Sequence, residues 1–202
     1  MESLRCILLG YLLGCLNPAA LLSKLKKINL RKHGTGNLGA TNTMLVLGKG
    51  WGALVLFFDI GKSFAAVRLA QFCCPALPVA GLLGGCGAVL GHIFPFYMHF
   101  KGGKGLAALA GLVLAYDPCI FLTLLILGCT LMLIFNYGIA LTFSAATLFP
   151  ILAGLHAQSL TDFLIAFAIC LLIILKHRSV LAKVRRGEDT KIRDYIKTKL
   201  FH

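Results

Sequence analysis

From Gly105 to Leu175 the chain reads GLAALAGLVLAYDPCIFLTLLILGCTLMLIFNYGIALTFSAATLFPILAGLHAQSLTDFLIAFAICLLIIL, and Asp117 and Asp162 are its sole charged residues. A helix crosses roughly 30 Å of hydrocarbon with about 20 mostly apolar residues. The block therefore holds several crossings. Turn-forming and polar residues divide it at Asp117-Pro118, near Asn136-Tyr137-Gly138, and between Gly154 and Asp162. Four crossings fit tightly, because Gly105 to Tyr116 is short at about 1.5 Å per residue. Two crossings would have to run straight through all three breaks. Four is the favoured division, with some crossings short or tilted.

Working outward, three more apolar blocks precede it. Cys6 to Ser23 and Pro75 to Phe100 contain no Asp, Glu, Lys or Arg, and Trp51 to Cys74 is interrupted only by Asp59, Lys62 and Arg68. Backbone in lipid must satisfy its own hydrogen bonds, so spans are helices or closed barrels; continuous apolar runs without two-residue alternation mean helices. The first block runs on through Asn17-Pro18 without a cleavage site, so it reads as an uncleaved span and not a signal peptide. The 22 glycines suit close helix packing. At 58% hydrophobic and 13% charged, with a mean hydropathy of +0.87, the chain is not a soluble globule, a disordered tail or a collagen-like fibre. The net charge of +13 would point to nucleic acid in a soluble chain; here it points to a membrane surface.

The basic residues orient the chain. Six of the 20 lie between Lys24 and Lys49, two at Lys101 and Lys104, and nine from Lys176 onward, while the linkers around Asp117 and Asp162 have none. Loops rich in Lys and Arg stay in the cytoplasm. The expectation is an all-α integral membrane protein of about seven transmembrane helices, five being the alternative, with the N-terminus outside and the C-terminus cytoplasmic. Residues 1–202 form a single polytopic membrane domain, and 183–202 a basic amphipathic cytoplasmic tail in which Ile192, Tyr195, Ile196 and Leu200 share a helical face suited to an anionic leaflet. The eight cysteines all fall in apolar blocks without a Cys-x-x-Cys pair and read as small buried apolar residues; no metal site or cofactor is expected.

Three polar islands lie on the deduced cytoplasmic side. The first is Arg31-Lys-His-Gly34-Thr35-Gly36-Asn37-Leu-Gly39-Ala40-Thr41-Asn42. Its glycines let backbone N–H groups converge, Asn and Thr add donors, and Arg31 and Lys32 add charge: the makings of an anion nest, or of an ordinary connector. Gly34, Gly36 and Gly39 match a dinucleotide spacing loosely, but no strand or acidic ribose ligand accompanies them. The second island, Gly91-His92-Ile-Phe94-Pro95-Phe96-Tyr-Met-His99-Phe100-Lys101-Gly102-Gly103-Lys104-Gly105, ends in two lysines bracketing two glycines. It reads as a phosphate grip or as an interfacial turn with snorkelling lysines, and it lacks the spacing of a P-loop. The third, Lys176-His177-Arg178-Ser179, ends the last span as a basic stop signal or part of a site. Asp59 and Lys62, at i and i+3, form an intramembrane ion pair that could also orient the loops.

Taken together, Gly34 to Asn42, Gly91 to Gly105, and Lys176-His-Arg with Arg185-Arg-Gly-Glu188 resemble the three cytoplasmic motifs of the bacterial acyl-phosphate:glycerol-3-phosphate acyltransferases, in the same order along the whole chain. The resemblance implies a multi-pass enzyme of the bacterial cytoplasmic (inner) membrane, with its active site facing the cytoplasm. Such an enzyme moves a fatty acyl group from acyl phosphate to the 1-hydroxyl of glycerol 3-phosphate, giving 1-acylglycerol 3-phosphate (lysophosphatidate) and phosphate. Its partners are these substrates and membrane lipids, not nucleic acid, and it acts as a monomer. An acyl phosphate is already activated, so the protein mainly neutralises two anions and aligns a hydroxyl with a carbonyl. No histidine here has Asp five positions on, which leaves a His–Asp base unindicated. The expected catalytic residues are Lys104, Thr35 and His177. The expected substrate-binding residues are Arg31, Gly36, Asn37, Thr41, Asn42, His92, Lys101, Gly102 and Gly103, with the Gly102 and Gly103 backbone gripping one phosphate alongside Lys104. The sequence departs from the family pattern at Thr35 and Cys15, where the family has Ser, at Leu45, where it has Arg, and at Val180, where it has Asn. A divergent paralogue with another phosphorylated acceptor, or without turnover, is the alternative.

Overall fold

Pro18 cannot donate a backbone hydrogen bond and is tolerated at a helix's first turn, so the first apolar block becomes two helices, α1 (Glu2–Cys15) and α2 (Pro18–Leu25). Asn17 caps the second by accepting from the Ala20 N–H at 2.8 Å. The structure, a computed structural model, describes residues 1–189 and 191–193, and every regular element among them is helical. The chain continues through α3 (Ala40–Leu47), α4 (Lys49–Cys73), α5 (Ala80–Ile93), a 3₁₀ turn (Phe96–Met98) and α6 (Leu106–Tyr116). Then come α7 (Pro118–Phe135), α8 (Ile139–Ala157), α9 (Leu160–Lys176) and α10 (Arg178–Arg185). Residues 1–117 form one compact unit, and the chain from Pro118 onward forms another.

In the first unit α5 is the central helix, packed by α1, α4 and α6 and buried along almost its whole length. Glycine makes this possible. Gly10 and Gly14 on α1 face Gly84, Ala88 and Gly91 on α5, and Gly87 faces the α1 backbone at Ile7 and Tyr11. A Cβ at Gly14 would lie 2.7 Å from the Ala88 backbone, and one at Gly91 would lie 2.8 Å from the Cys15 nitrogen. The two helices touch backbone to backbone. Lipid gives no hydrophobic push between helices, so spacings such as Gly10-x-x-x-Gly14 and Gly87-x-x-x-Gly91 associate by close van der Waals contact. The expectation that the glycines pack helices holds here residue by residue. Large apolar side chains, among them Leu8, Leu12, Phe57 and Phe58, face outward, as they must in hydrocarbon.

In the second unit α8 packs against both α7 and α9. α7 buries only Leu124 and Gly128. The helix ends fall at the three breaks expected from sequence. At Asn136 the chain takes a left-handed turn (φ 65°), and this corner receives the tail: the Ile192 N–H donates to the Asn136 carbonyl at 3.0 Å and the Arg193 N–H to its Oδ1 at 2.8 Å. The α7–α8 corner and the start of the tail therefore lie at the same end of this unit. Tyr195, Ile196 and Leu200, expected on the apolar face of a tail helix, lie outside the described residues. Most cysteines are buried or half-buried as expected; Cys119 is the exception, exposed near the start of α7.

Among the described residues, four segments are long and apolar enough to cross a membrane: Glu2–Leu25, Ala80–Met98, Pro118–Phe135 and Ile139–Ala157. A fifth results if α9 and α10, bent by 47°, are taken as one. The glycine seam yields a prediction. Gly14→Leu forces α1 from α5 and costs about 3 kcal/mol or more, whereas Gly61→Ala, on an open face of α4, stabilises by about 0.5–1 kcal/mol. Thermal unfolding in detergent separates the two; an unchanged midpoint for Gly14→Leu would refute the seam.

Candidate active site

The second island is built on the last turn of α5. Pro95 opens a 3₁₀ turn, and then His99 (φ 53°) and Phe100 (φ 56°) adopt consecutive left-handed conformations that reverse the chain. Each costs about 1 kcal/mol for a residue with a Cβ. The reversal returns the backbone to α5, where the Gly102 N–H donates to the Ile93 carbonyl at 2.9 Å and the Gly103 N–H to the His92 carbonyl at 3.0 Å. These bonds satisfy carbonyls that every helix C-terminus leaves open. The expectation that these two amides grip a phosphate is thereby corrected, because they cap α5. What the glycines supply is close approach. A Cβ at Gly102 would lie 2.7 Å from Pro95 Cδ, and one at Gly103 would collide with the His92 ring. Lys104 follows half-buried, immediately before Gly105 (φ 95°) and the N-terminus of α6. The first N–H groups of a helix have no partner within it and favour anions.

The first island ends in the same way, at the N-terminus of α3, with Gly39 as its N-cap. Asn42 is fully buried. Its Nδ2 donates to the Leu30 carbonyl at 2.8 Å, and its Oδ1 accepts from the Thr35 N–H at 2.6 Å. Expected among the substrate-binding residues, Asn42 instead bolts the loop, since both ends of its amide are engaged. Gly34 (φ 59°) packs against that side chain, where a Cβ would collide with Oδ1. Thr35, Thr41 and Arg31 are exposed, Gly36 and Asn37 half-buried. An Arg31 guanidinium N–H donates to the Lys101 carbonyl, joining the first island to the second, while the Lys101 residue is itself exposed.

Beneath the second island lies a buried polar cluster. Lys62 Nζ lies 2.7 Å from Asp59 Oδ1, 3.1 Å from His92 Nδ1, and donates to the Leu16 carbonyl at 2.6 Å. All three side chains are nearly inaccessible. The i,i+3 pairing of Asp59 and Lys62 was legible, but its connection to His92, 30 residues on, was not. Also unforeseen were two tyrosine struts: Tyr97 Oη donates to the Cys15 carbonyl and Tyr11 Oη to the Phe94 carbonyl, each at 2.7 Å. A phenol beside an apolar run signals only that it needs an acceptor.

His177 stands in the second unit, buried at the bend between α9 and α10. A carbonyl only accepts, so the 2.9 Å contact between His177 Nδ1 and the Ile173 oxygen places a proton on Nδ1. Leu45 is exposed on α3 and Val180 half-buried on α10. Among the described residues no group of three or more His, Cys, Asp or Glu side chains could hold a metal ion.

A family model described as glycerol-3-phosphate acyltransferase matches residues 4–187. Glycerol-3-phosphate acyltransferases of Staphylococcus aureus strains, RF122 / ET3-1 and JH9 among them, are 36% identical over 199 residues, covering 93% of this chain and 96% of theirs. The crystal structure of PlsY (YgiH), an integral membrane glycerol 3-phosphate acyltransferase, in its glycerol 3-phosphate form has a TM-score of 0.87 at 30% identity, covering 95% of this chain and 96% of that one. The lysophosphatidic acid form gives 0.84 at 29%, with 95% of each chain covered. The islands described above all fall within the matched residues, and the chain belongs to the glycerol-3-phosphate acyltransferase family of integral membrane proteins.

Proposed function

We propose that this protein transfers a fatty acyl group from acyl phosphate to the 1-hydroxyl of glycerol 3-phosphate at the cytoplasmic face of a bacterial inner membrane, releasing lysophosphatidate and phosphate. The observation that carries this reading is that two glycine-rich, basic loops each end at a helix N-terminus, α3 and α6, and are tied together through Arg31 and Lys101. Two anionic substrates call for two such places. Lys104 neutralises a phosphate beside the first turn of α6. The Thr35 hydroxyl, with Gly36, Asn37 and Thr41, lines the half at α3, and Arg31, Lys101 and His92 add donors and charge. The Nε2 of His177 accepts from the glycerol hydroxyl and aims it.

In the reaction the hydroxyl oxygen bonds to the acyl carbon, the bond from that carbon to the phosphate oxygen breaks, and the hydroxyl proton passes to a phosphate oxygen. The charges to be stabilised are those of the leaving phosphate and the carbonyl oxygen, a task for fixed cations and dipoles. The whole chain acts as one polytopic domain and as a monomer. Its seven crossings are α1 with α2, then α4, α5, α6, α7, α8 and α9, with the N-terminus outside. α6, with 11 residues, rises only about 16 Å, a short crossing. The hydrogen bonds from the tail to Asn136 support this count, because they set the α7–α8 corner on the tail's side.

Purified protein supplied with acyl phosphate and glycerol 3-phosphate should yield phosphate and lysophosphatidate in equal amounts. Lys104→Ala should lower kcat/KM by about 10²–10³-fold, the usual loss when one fixed stabilising group is removed, with the unfolding midpoint unchanged; full activity in that variant would remove Lys104 from the mechanism. A second reading rests on Leu45, an exposed apolar side chain on α3 where the family pattern has arginine. It holds that the acceptor is another phosphorylated alcohol. Leu45→Arg distinguishes the two: with glycerol 3-phosphate as the true acceptor, the added guanidinium should lower its KM by about tenfold. Phosphate release without lysophosphatidate would favour the second reading.

A further inference from the structure

Lys62 carries three N–H donors and no acceptor. Its three nearest polar neighbours are the Leu16 carbonyl at 2.6 Å, Asp59 Oδ1 at 2.7 Å and His92 Nδ1 at 3.1 Å. An ammonium can hydrogen-bond to Nδ1 only when that nitrogen is the bare one, with the imidazole proton on Nε2. Asp59 Oδ1 lies farther from Nδ1, at 3.3 Å, and is ion-paired with Lys62 without accepting a hydrogen bond. The Nε2 edge of the ring is turned to Gly103: of the ring atoms it lies nearest to where a Cβ of Gly103 would stand. The same residue's carbonyl holds the Gly103 amide at 3.0 Å. His92 therefore grips the turn before Lys104 by its backbone and presents a ring N–H at that turn.

We propose that Lys62, anchored by Asp59 and the end of α1, is a positioning residue that fixes His92 in its Nε2–H tautomer, so that the ring donates a hydrogen bond to a phosphate held by Lys104 beside the first turn of α6. The donor role rests on the phosphate-binding reading of that turn given above; the tautomer does not. The arrangement is the reverse of that at His177, whose Nδ1 carries the proton.

The test uses the full chain, labelled with ¹⁵N-histidine, in detergent. The His92 signals are identified by their disappearance in His92→Gln. The expected spectrum has a protonated Nε2 and a bare Nδ1, and adding inorganic phosphate shifts the Nε2 signal. A protonated Nδ1 with a bare Nε2 would overturn the proposal in the unmodified protein, whatever the variants do. Lys62→Met should abolish the tautomer preference and raise the KM for glycerol 3-phosphate by about tenfold, the worth of a charge-assisted donor. Should the lone Asp59 carboxylate prevent folding, Asp59→Asn/Lys62→Met removes both charges and is expected to show the same two changes. In a His92→Gln background the glutamine amide donates without help from Lys62, so Lys62→Met should there change KM by less than about twofold. An equal KM rise in both backgrounds would mean that Lys62 serves packing alone. An unmodified chain that makes no lysophosphatidate would defeat the proposed reaction, while the tautomer would still be read from its own spectrum.

Discussion

Everything in the first unit hangs on the approach of α1 to α5 at backbone distance. With no side chain at Gly14 or Gly91, the end of α1 is drawn against the last turn of α5. Two carbonyls at that end, Cys15 and Leu16, thereby come within reach of Tyr97 and Lys62. A larger residue in the seam would part the helices and separate these acceptors from their donors. The contact is van der Waals packing in origin, as helix association in lipid must be, but its consequence is polar. It fixes where a buried ammonium can sit, and through it where His92 and the Gly102-Gly103 turn sit.

The large divisions of the chain were legible because they rest on composition. A break in an apolar run has to carry a residue that ends a helix, and Pro118, Asn136 and Gln158 stand at the three breaks of the long block. The three islands were legible for a related reason: a chain with so few polar residues gathers them where chemistry or solvent requires them. What sequence could not show was how individual groups are used. A glycine-rich loop looks the same whether its amides face a ligand or a helix end, and those of Gly102 and Gly103 face α5. An Asn in a polar motif looks the same whether it faces a substrate or braces a loop, and Asn42 braces. The link from Lys62 to His92 depends on the relative rotation of two helices, which no local pattern encodes.

The cluster at Asp59, Lys62 and His92 is poorly explained by stability. Removing a carboxylate and an ammonium from water costs several kcal/mol per ion before pairing, and well-packed apolar residues hold such a position at least as well. A buried pair is therefore weak evidence of stabilisation. Geometry explains it better. Asp59 compensates the charge, the Leu16 carbonyl takes one donor, and the ammonium stands 3.1 Å from Nδ1 of the imidazole. A methionine or leucine could fill the same volume but could not offer a hydrogen-bond donor to Nδ1.

This division of labour bears on the chemistry. An acyltransferase gains most by holding its substrates in register, and a positional error of an ångström is costly. Lys101 is exposed, and an exposed lysine, being flexible and strongly hydrated, positions an anion poorly. Rigidity has to come from below, from groups whose own partners leave them no freedom. The turn bearing Lys104 is held in that way, by two amides on α5, a ring packed against Gly103, and a buried cation behind the ring. The net charge of +13 thus has unequal parts: most of it lies in the basic loops and tail, while Lys62 is buried among protein partners behind the His92 ring.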